Sequence, residues 1–185
     1  MSPFLAISIL WITFEIILSR KKGTSGKIKR QDSSSLTVLW TTLVVSISLG
    51  ICARYLNFGT TNFHSSLIHY IGLILIVFGL IIRWFAILKL KEFFTVTVSI
   101  QKDHRIIDTG IYKYIRHPAY LGSLLSFLGL GFALQNWLTI LVIFFPIFGA
   151  LSYRIHVEEK VLNKEFGKEY FNYSSRTKKL IPWIY

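Results

Sequence analysis

Long runs of apolar residues, each closed by a cluster of charges or a short polar break, set out the chain. Phe4 to Leu18 is apolar apart from Thr and Ser residues and Glu15, and Arg20, Lys21, Lys22, Lys27, Lys29 and Arg30 follow it. Leu36 to Ala53 is a second run. Leu67 to Leu88 is a third, 22 residues long, close to the ~20 that cross a ~30 Å hydrocarbon core. From Tyr120 to Leu151 there are 32 residues with no ionisable side chain except Tyr120, about 48 Å as one helix and too long for a single span. Gln135-Asn136 splits that run into two halves of 15, which predicts a tight helical hairpin. The pattern then changes. Ile155, Leu162, Phe166, Tyr170 and Tyr173 recur at spacings of seven, four, four and three, the apolar stripe of an amphipathic helix from Tyr153 to Tyr173 expected along the membrane surface.

Charge then orients the spans. Six Lys or Arg lie between Lys89 and Arg116 and seven after Tyr153, whereas the loop from Arg54 to Ser66 holds one. Basic loops stay on the cytoplasmic side, so the expected arrangement is five helices crossing or nearly crossing the membrane, N-terminus outside and C-terminus inside. The first run is not a cleavable signal peptide by this pattern, because its positive charges come after the apolar stretch and not before it. The fold class is therefore all-α and integral to the membrane, a single domain over residues 1–185, with 52% hydrophobic and only 16% charged residues. A net charge of +12 could point to nucleic acid, but here the Lys and Arg sit between apolar spans and read as topology signals, so no nucleic-acid partner is expected. The lone Cys52 lies in an apolar run and permits no intramolecular disulfide.

Candidate chemistry gathers at two places. In Arg116-His117-Pro118-Ala119-Tyr120-Leu121-Gly122 the proline forces His117 out of the helical region and fixes its own φ for a first helical turn. Unpaired first-turn N–H groups, the positive end of the helix dipole and Arg116 would then stand together, a good place for an anionic group. The second place is Arg154 and Glu158, four apart on one helix face and able to pair across a turn. Glu15 and Arg83 lie inside spans, where mutual pairing, snorkelling to the interface and a functional role all fit. Gly129-Leu130-Gly131 lacks the strand and third glycine of a dinucleotide loop and reads as close helix packing. The five histidines never fall three or four apart, so no metal site is expected.

Gly110-Ile111-Tyr112, the Arg116 to Gly122 stretch, Arg154-Ile155 with Glu158-Glu159 and Leu162, Phe166-Gly167 with Tyr170 and Tyr173, and Ile181-Pro182-Trp183 together resemble the isoprenylcysteine carboxyl methyltransferase family, part of a wider group that includes phospholipid N-methyltransferases. The resemblance covers roughly Gly79 to Tyr185, so residues 67–185 are expected to form the methyltransferase core and 1–66 to be less specific spans. It implies a membrane methyltransferase that takes S-adenosylmethionine from the cytoplasm and a lipidic or prenylated acceptor from the bilayer. The cofactor positions it implies are His104, Arg105, Ile106 and Ile107, then Tyr112, then His117, Pro118, Ala119 and Tyr120, then Glu158. Arg154 matches the arginine near the acceptor, and Thr97 stands where the family often has Gln.

Elementary chemistry agrees with that reading. The carboxylate of S-adenosylmethionine suits the helix start at Pro118, and its ammonium and sulfonium suit Glu158. Methyl transfer needs in-line placement more than acid or base help, and Arg154 could orient a carboxylate acceptor with its planar fork. Carboxyl methylation is the leading expectation and N-methylation of a phospholipid or other amphiphilic amine the nearest rival. Membrane sterol and enone reductases share a His-Pro-x-Tyr pattern but bind NADPH, whose phosphate would want more Arg than the Glu158-Glu159 pair provides. A non-enzymatic helical scaffold would leave both polar clusters unexplained.

Overall fold

The computed structural model describes residues 3–20, 29–32, 34–59, 66–96, 98–100 and 105–181. Within them five α-helices follow the apolar runs, α1 (Pro3–Arg20), α2 (Ser34–Tyr55), α3 (Ser66–Leu90), α4 (Pro118–Ala133) and α5 (Trp137–Phe166), and a short polar one, α6 (Lys168–Arg176), comes after them. Helices α2, α3 and α5 are long and apolar enough to cross a membrane, and Pro3–Ile17 and Pro118–Ala133 are shorter apolar helices. Leu10, Ile12, Val44, Ile74, Phe78 and Phe85 stay exposed on them, a surface suited to lipid and poorly suited to water. The all-α reading holds with one addition. Strands β1 (Lys29–Asp32) and β2 (Val98–Ile100) pair antiparallel, Lys29 opposite Ile100 and Asp32 opposite Val98, and so join the loop after α1 to the loop before α4.

Helices α3 and α4 run antiparallel in backbone contact. Gly72 and Gly79 on α3, and Gly122 and Gly129 on α4, are spaced seven apart, so they fall on one face of each helix and meet in two pairs. A Cβ on Gly122 would stand 2.5 Å from the Gly79 carbonyl oxygen, and one on Gly129 2.6 Å from that of Gly72. Between them Ser126 donates from its hydroxyl to the carbonyls of Gly122 (3.0 Å) and Ile76 (3.2 Å). Small residues with a polar bridge hold helices together where lipid removes the hydrophobic drive. Gly129 does serve close packing, as its surroundings in the sequence indicate. Glu15 and Arg83 are partners. Arg83 donates through Nε to Glu15 Oε1 (2.9 Å) and through Nη2 to Oε2 (3.1 Å), a two-pronged pair that ties α1 to α3.

The hairpin turns where Gln135-Asn136 predicts it. Gln135 takes a positive φ, and Asn136 caps α5 by accepting from the Thr139 N–H (3.0 Å). Its amide Nδ2 donates to the Phe58 carbonyl (2.6 Å), which holds the loop after α2 against the turn. The second arm departs from expectation. No break occurs at Tyr153; α5 runs on for 30 residues to Phe166, and the chain turns at Gly167, which has φ +50. The amphipathic segment is thus divided, its first part an extension of the spanning helix and its remainder the short α6. Its apolar stripe also faces inward. Ile155, Tyr170 and Tyr173 are buried, and Leu162, Phe166, Tyr170 and Tyr173 line a cavity.

Candidate active site

The site begins at the start of α4. His117 has φ −124 and its ring does not cap the helix, and Pro118 is the first helical residue, as X-Pro sterics require. The segment before it pairs with the chain after α6. Arg116 N donates to the Lys178 carbonyl (2.8 Å), His117 N to that of Lys179 (3.1 Å), and Lys178 N to that of Tyr114 (3.0 Å). Arg116 is not left waiting for an anion. Its Nε donates to Glu159 Oε1 (2.7 Å), and its Nη1 to the carbonyls of Ser174 (2.8 Å) and Thr177. Lys179 Nζ lies 3.3 Å from Glu159 Oε2 and His117 Nε2 3.4 Å from Oε1, so Glu159 is the hub of a brace joining the α4 entry, α5 and the segment after α6.

Beside this brace opens a cavity. Arg105, Ile106, Ile107, Tyr112, His117, Ala119, Tyr120, Arg154 and Glu158 all line it. Pro118 does not line the cavity; it is fully buried at the helix start. His104, Thr97, Pro182 and Trp183 lie outside the described residues. The cavity also takes Leu90, Phe93, Phe94 and Thr95 from the end of α3 onward, and Val161, Leu162, Phe166, Tyr170 and Tyr173 from α5 and α6. Of these, the last four carried a sequence signal, their helical stripe, but it points equally to lipid and to a cavity.

Arg154 and Glu158 meet through a third residue. The Tyr120 hydroxyl donates to Glu158 Oε2 (2.7 Å) and accepts from Arg154 Nε (3.0 Å), so the two are bridged and form no direct ion pair among the described residues. Arg154 is 3% exposed. Its Nη1 donates to Ser35 Oγ (3.1 Å) on α2 and its Nη2 to the Val96 carbonyl. A guanidinium has five N–H donors, so among the described residues one on each terminal nitrogen remains after these bonds. Ser35 carried no sequence signal, lying far up the chain from its partner. Glu158 has the converse imbalance. It is an acidic side chain on the cavity wall whose hydrogen-bond partner is a neutral phenol, and no cationic side chain stands within ion-pair range of it among the described residues. Such a carboxylate favours a cationic guest.

Phenols frame the rest. Tyr112 donates to the Ala86 carbonyl (3.3 Å), and Tyr173 to that of Tyr112 (2.9 Å). Burial pushes the Tyr112, Tyr170 and Tyr173 phenols above their ordinary range, so each is a neutral donor at physiological pH. The His117 ring stacks on that of Tyr120, with centroids 5.7 Å apart and planes 24° from parallel.

Residues 72–164 match the model of the isoprenylcysteine carboxyl methyltransferase (ICMT) family. The chain belongs to that family. Among its relatives, a probable protein-S-isoprenylcysteine O-methyltransferase of Oryza sativa subsp. indica is 31% identical over 119 residues, 63% of this chain and 62% of the relative. The protein-S-isoprenylcysteine O-methyltransferase of Saccharomyces cerevisiae is 34% identical over 116 residues, 62% of this chain and 48% of its own length. The match thus spans about half to three fifths of these relatives. The fold is similar to a solved structure of the eukaryotic intramembrane Ras methyltransferase ICMT, with TM-score 0.64 and 22% identity over 98% of this chain and 65% of that one. Family and fold agree with the apolar helices: this is an integral membrane protein. The family's matched segment runs from Gly72 on α3 to Lys164 near the end of α5, and so takes in the glycine contact, the entry of α4, Arg154 and Glu158.

Proposed function

We propose that the protein is a membrane methyltransferase that uses S-adenosylmethionine to methylate the carboxylate of a prenylated or similarly lipidic acceptor. The observation that carries this reading is Glu158, a cavity carboxylate hydrogen-bonded by a phenol and lacking a cationic side-chain partner among the described residues, four residues from a buried arginine with donors to spare. When bound, S-adenosylmethionine supplies an electrophilic methyl group on a sulfonium. Glu158 would face its cationic part, and the start of α4 at Ala119 and Tyr120 its carboxylate, with Arg105, Ile106, Ile107, Tyr112 and His117 forming the walls. His104 joins that set by resemblance. Arg154 would orient the acceptor carboxylate through its remaining terminal N–H groups, which a planar fork does in two-pronged fashion. Apolar cavity residues such as Phe93 and Phe94 suit a lipidic chain, and methyl transfer needs alignment more than proton transfer. The cavity is expected to open to the cytoplasm.

Incubation of the protein in lipid nanodiscs with methyl-labelled S-adenosylmethionine and a prenylated cysteine bearing a free carboxyl group tests the reading. A base-labile methyl ester is expected. A base-stable methyl product formed only with amine lipids would favour amine methylation, and NADPH binding without S-adenosylmethionine binding would replace the reading with a reductase.

A further inference from the structure

Tyr170 sits on α6, is 2% exposed and lines the cavity, yet its hydroxyl has no hydrogen-bond partner among the described residues. Buried hydroxyls are seldom left so. The neighbouring phenols show the contrast, since Tyr112 and Tyr173 donate to carbonyls and Tyr120 to Glu158. If Tyr170 served packing alone, phenylalanine would fill the same volume without stranding a polar atom. Of the charges that act on it, Glu159 and Arg116 are satisfied by each other, and Glu158 is the one left facing the cavity. A neutral hydroxyl between aromatic and apolar walls, with Phe166 and Tyr173 beside it in the lining, complements an uncharged heteroaromatic guest that offers hydrogen-bonding groups.

We propose that the Tyr170 hydroxyl is a binding group for the adenosine half of S-adenosylmethionine, hydrogen-bonding a ribose hydroxyl or a purine nitrogen while Glu158 takes the cationic half. This rests on the methyltransferase reading and adds a residue to it. Charge is matched to charge at Glu158, and neutral polarity to neutral polarity at Tyr170.

Tyr170→Phe separates ligand binding from packing, because it removes only the oxygen. Calorimetric titration of S-adenosylhomocysteine into wild type and variant in detergent, beside thermal unfolding of both proteins without ligand, reads the two effects apart. The expected result is about tenfold weaker binding for the variant, with a ligand-free Tm equal to or above that of wild type, since no protein hydrogen bond is lost. 5′-Methylthioadenosine, which lacks the amino-acid part, should displace S-adenosylhomocysteine from wild type and be weakened by Tyr170→Phe to the same degree. Unchanged affinity, or a lowered ligand-free Tm with affinity intact, overturns the inference and leaves the methyltransferase reading standing. Failure of 5′-methylthioadenosine to bind wild type, or an equal dissociation constant for it in both proteins, overturns the adenosine assignment. No binding of S-adenosylhomocysteine to wild type overturns the reading and the inference together.

Discussion

Glu158 and Glu159 are adjacent and chemically alike, yet they point into different environments, because neighbours on a helix differ by about 100°. Glu158→Gln should weaken S-adenosylmethionine binding roughly ten- to hundredfold by removing a charge-assisted contact, with little change in Tm; calorimetry and thermal unfolding on the same preparation check both halves. Glu159→Gln should do the reverse. It leaves Arg116 and Lys179 without their anion and should cost on the order of 2 kcal/mol of stability, while affinity in the protein that remains folded changes little. Arg154→Lys keeps the charge and loses the planar fork, so turnover should fall at least ~tenfold at saturating cofactor with cofactor affinity nearly constant. Normal turnover in that variant would remove Arg154 from the acceptor site. The spacing of Arg154 and Glu158 was readable as a shared face, but the phenol between them was not. Tyr120 lies on another helix, and helical periodicity says which residues share a face without saying what faces it. The partner of Arg116 is illegible in the sequence for a related reason: Glu159 is 43 residues on, and no local pattern joins them.

At the level of elements, polar breaks and proline positions were good guides, and the fate of amphipathic faces was not. Asn136 as a cap and Pro118 as a first helical residue follow from local backbone chemistry, which tertiary structure seldom overrules. The ribbon of β1 and β2 leaves no sequence signature, because Lys29–Asp32 is wholly polar and shows no alternation. The glycines give the sharpest element-scale test. Gly122→Ala should loosen α3 from α4, since its Cβ meets backbone that cannot rotate away, whereas Gly149→Ala, with nothing within 4 Å on α5, should be tolerated or slightly stabilising. Resistance to detergent-induced unfolding, compared for the two variants, distinguishes a packing glycine from an incidental one. Equal resistance would mean that the α3 and α4 backbones can part without cost.

For the molecule as a whole, the charge pattern predicts a topology that impermeant labels can check in intact cells. Cysteines placed among residues 20–30 and 89–116 and after Tyr153 should be protected, and ones placed at Asn57 to Ser65, where only Asn57, Phe58 and Gly59 are described, should react. Labelling of a tag after Tyr185 from outside would invert the arrangement. The phenol shared by Arg154 and Glu158 carries a consequence for how two substrates would be handled. One hydroxyl serves both ends, so a cation drawn to Glu158 changes the acceptor that Arg154 Nε relies on, and an anion at Arg154 changes the donor that Glu158 relies on. Thermodynamic linkage makes that influence reciprocal: whatever factor the acceptor imposes on cofactor affinity, the cofactor imposes on acceptor affinity. Tyr120→Phe should therefore bring the two binding constants closer to independence, and the order in which the partners arrive would cease to matter.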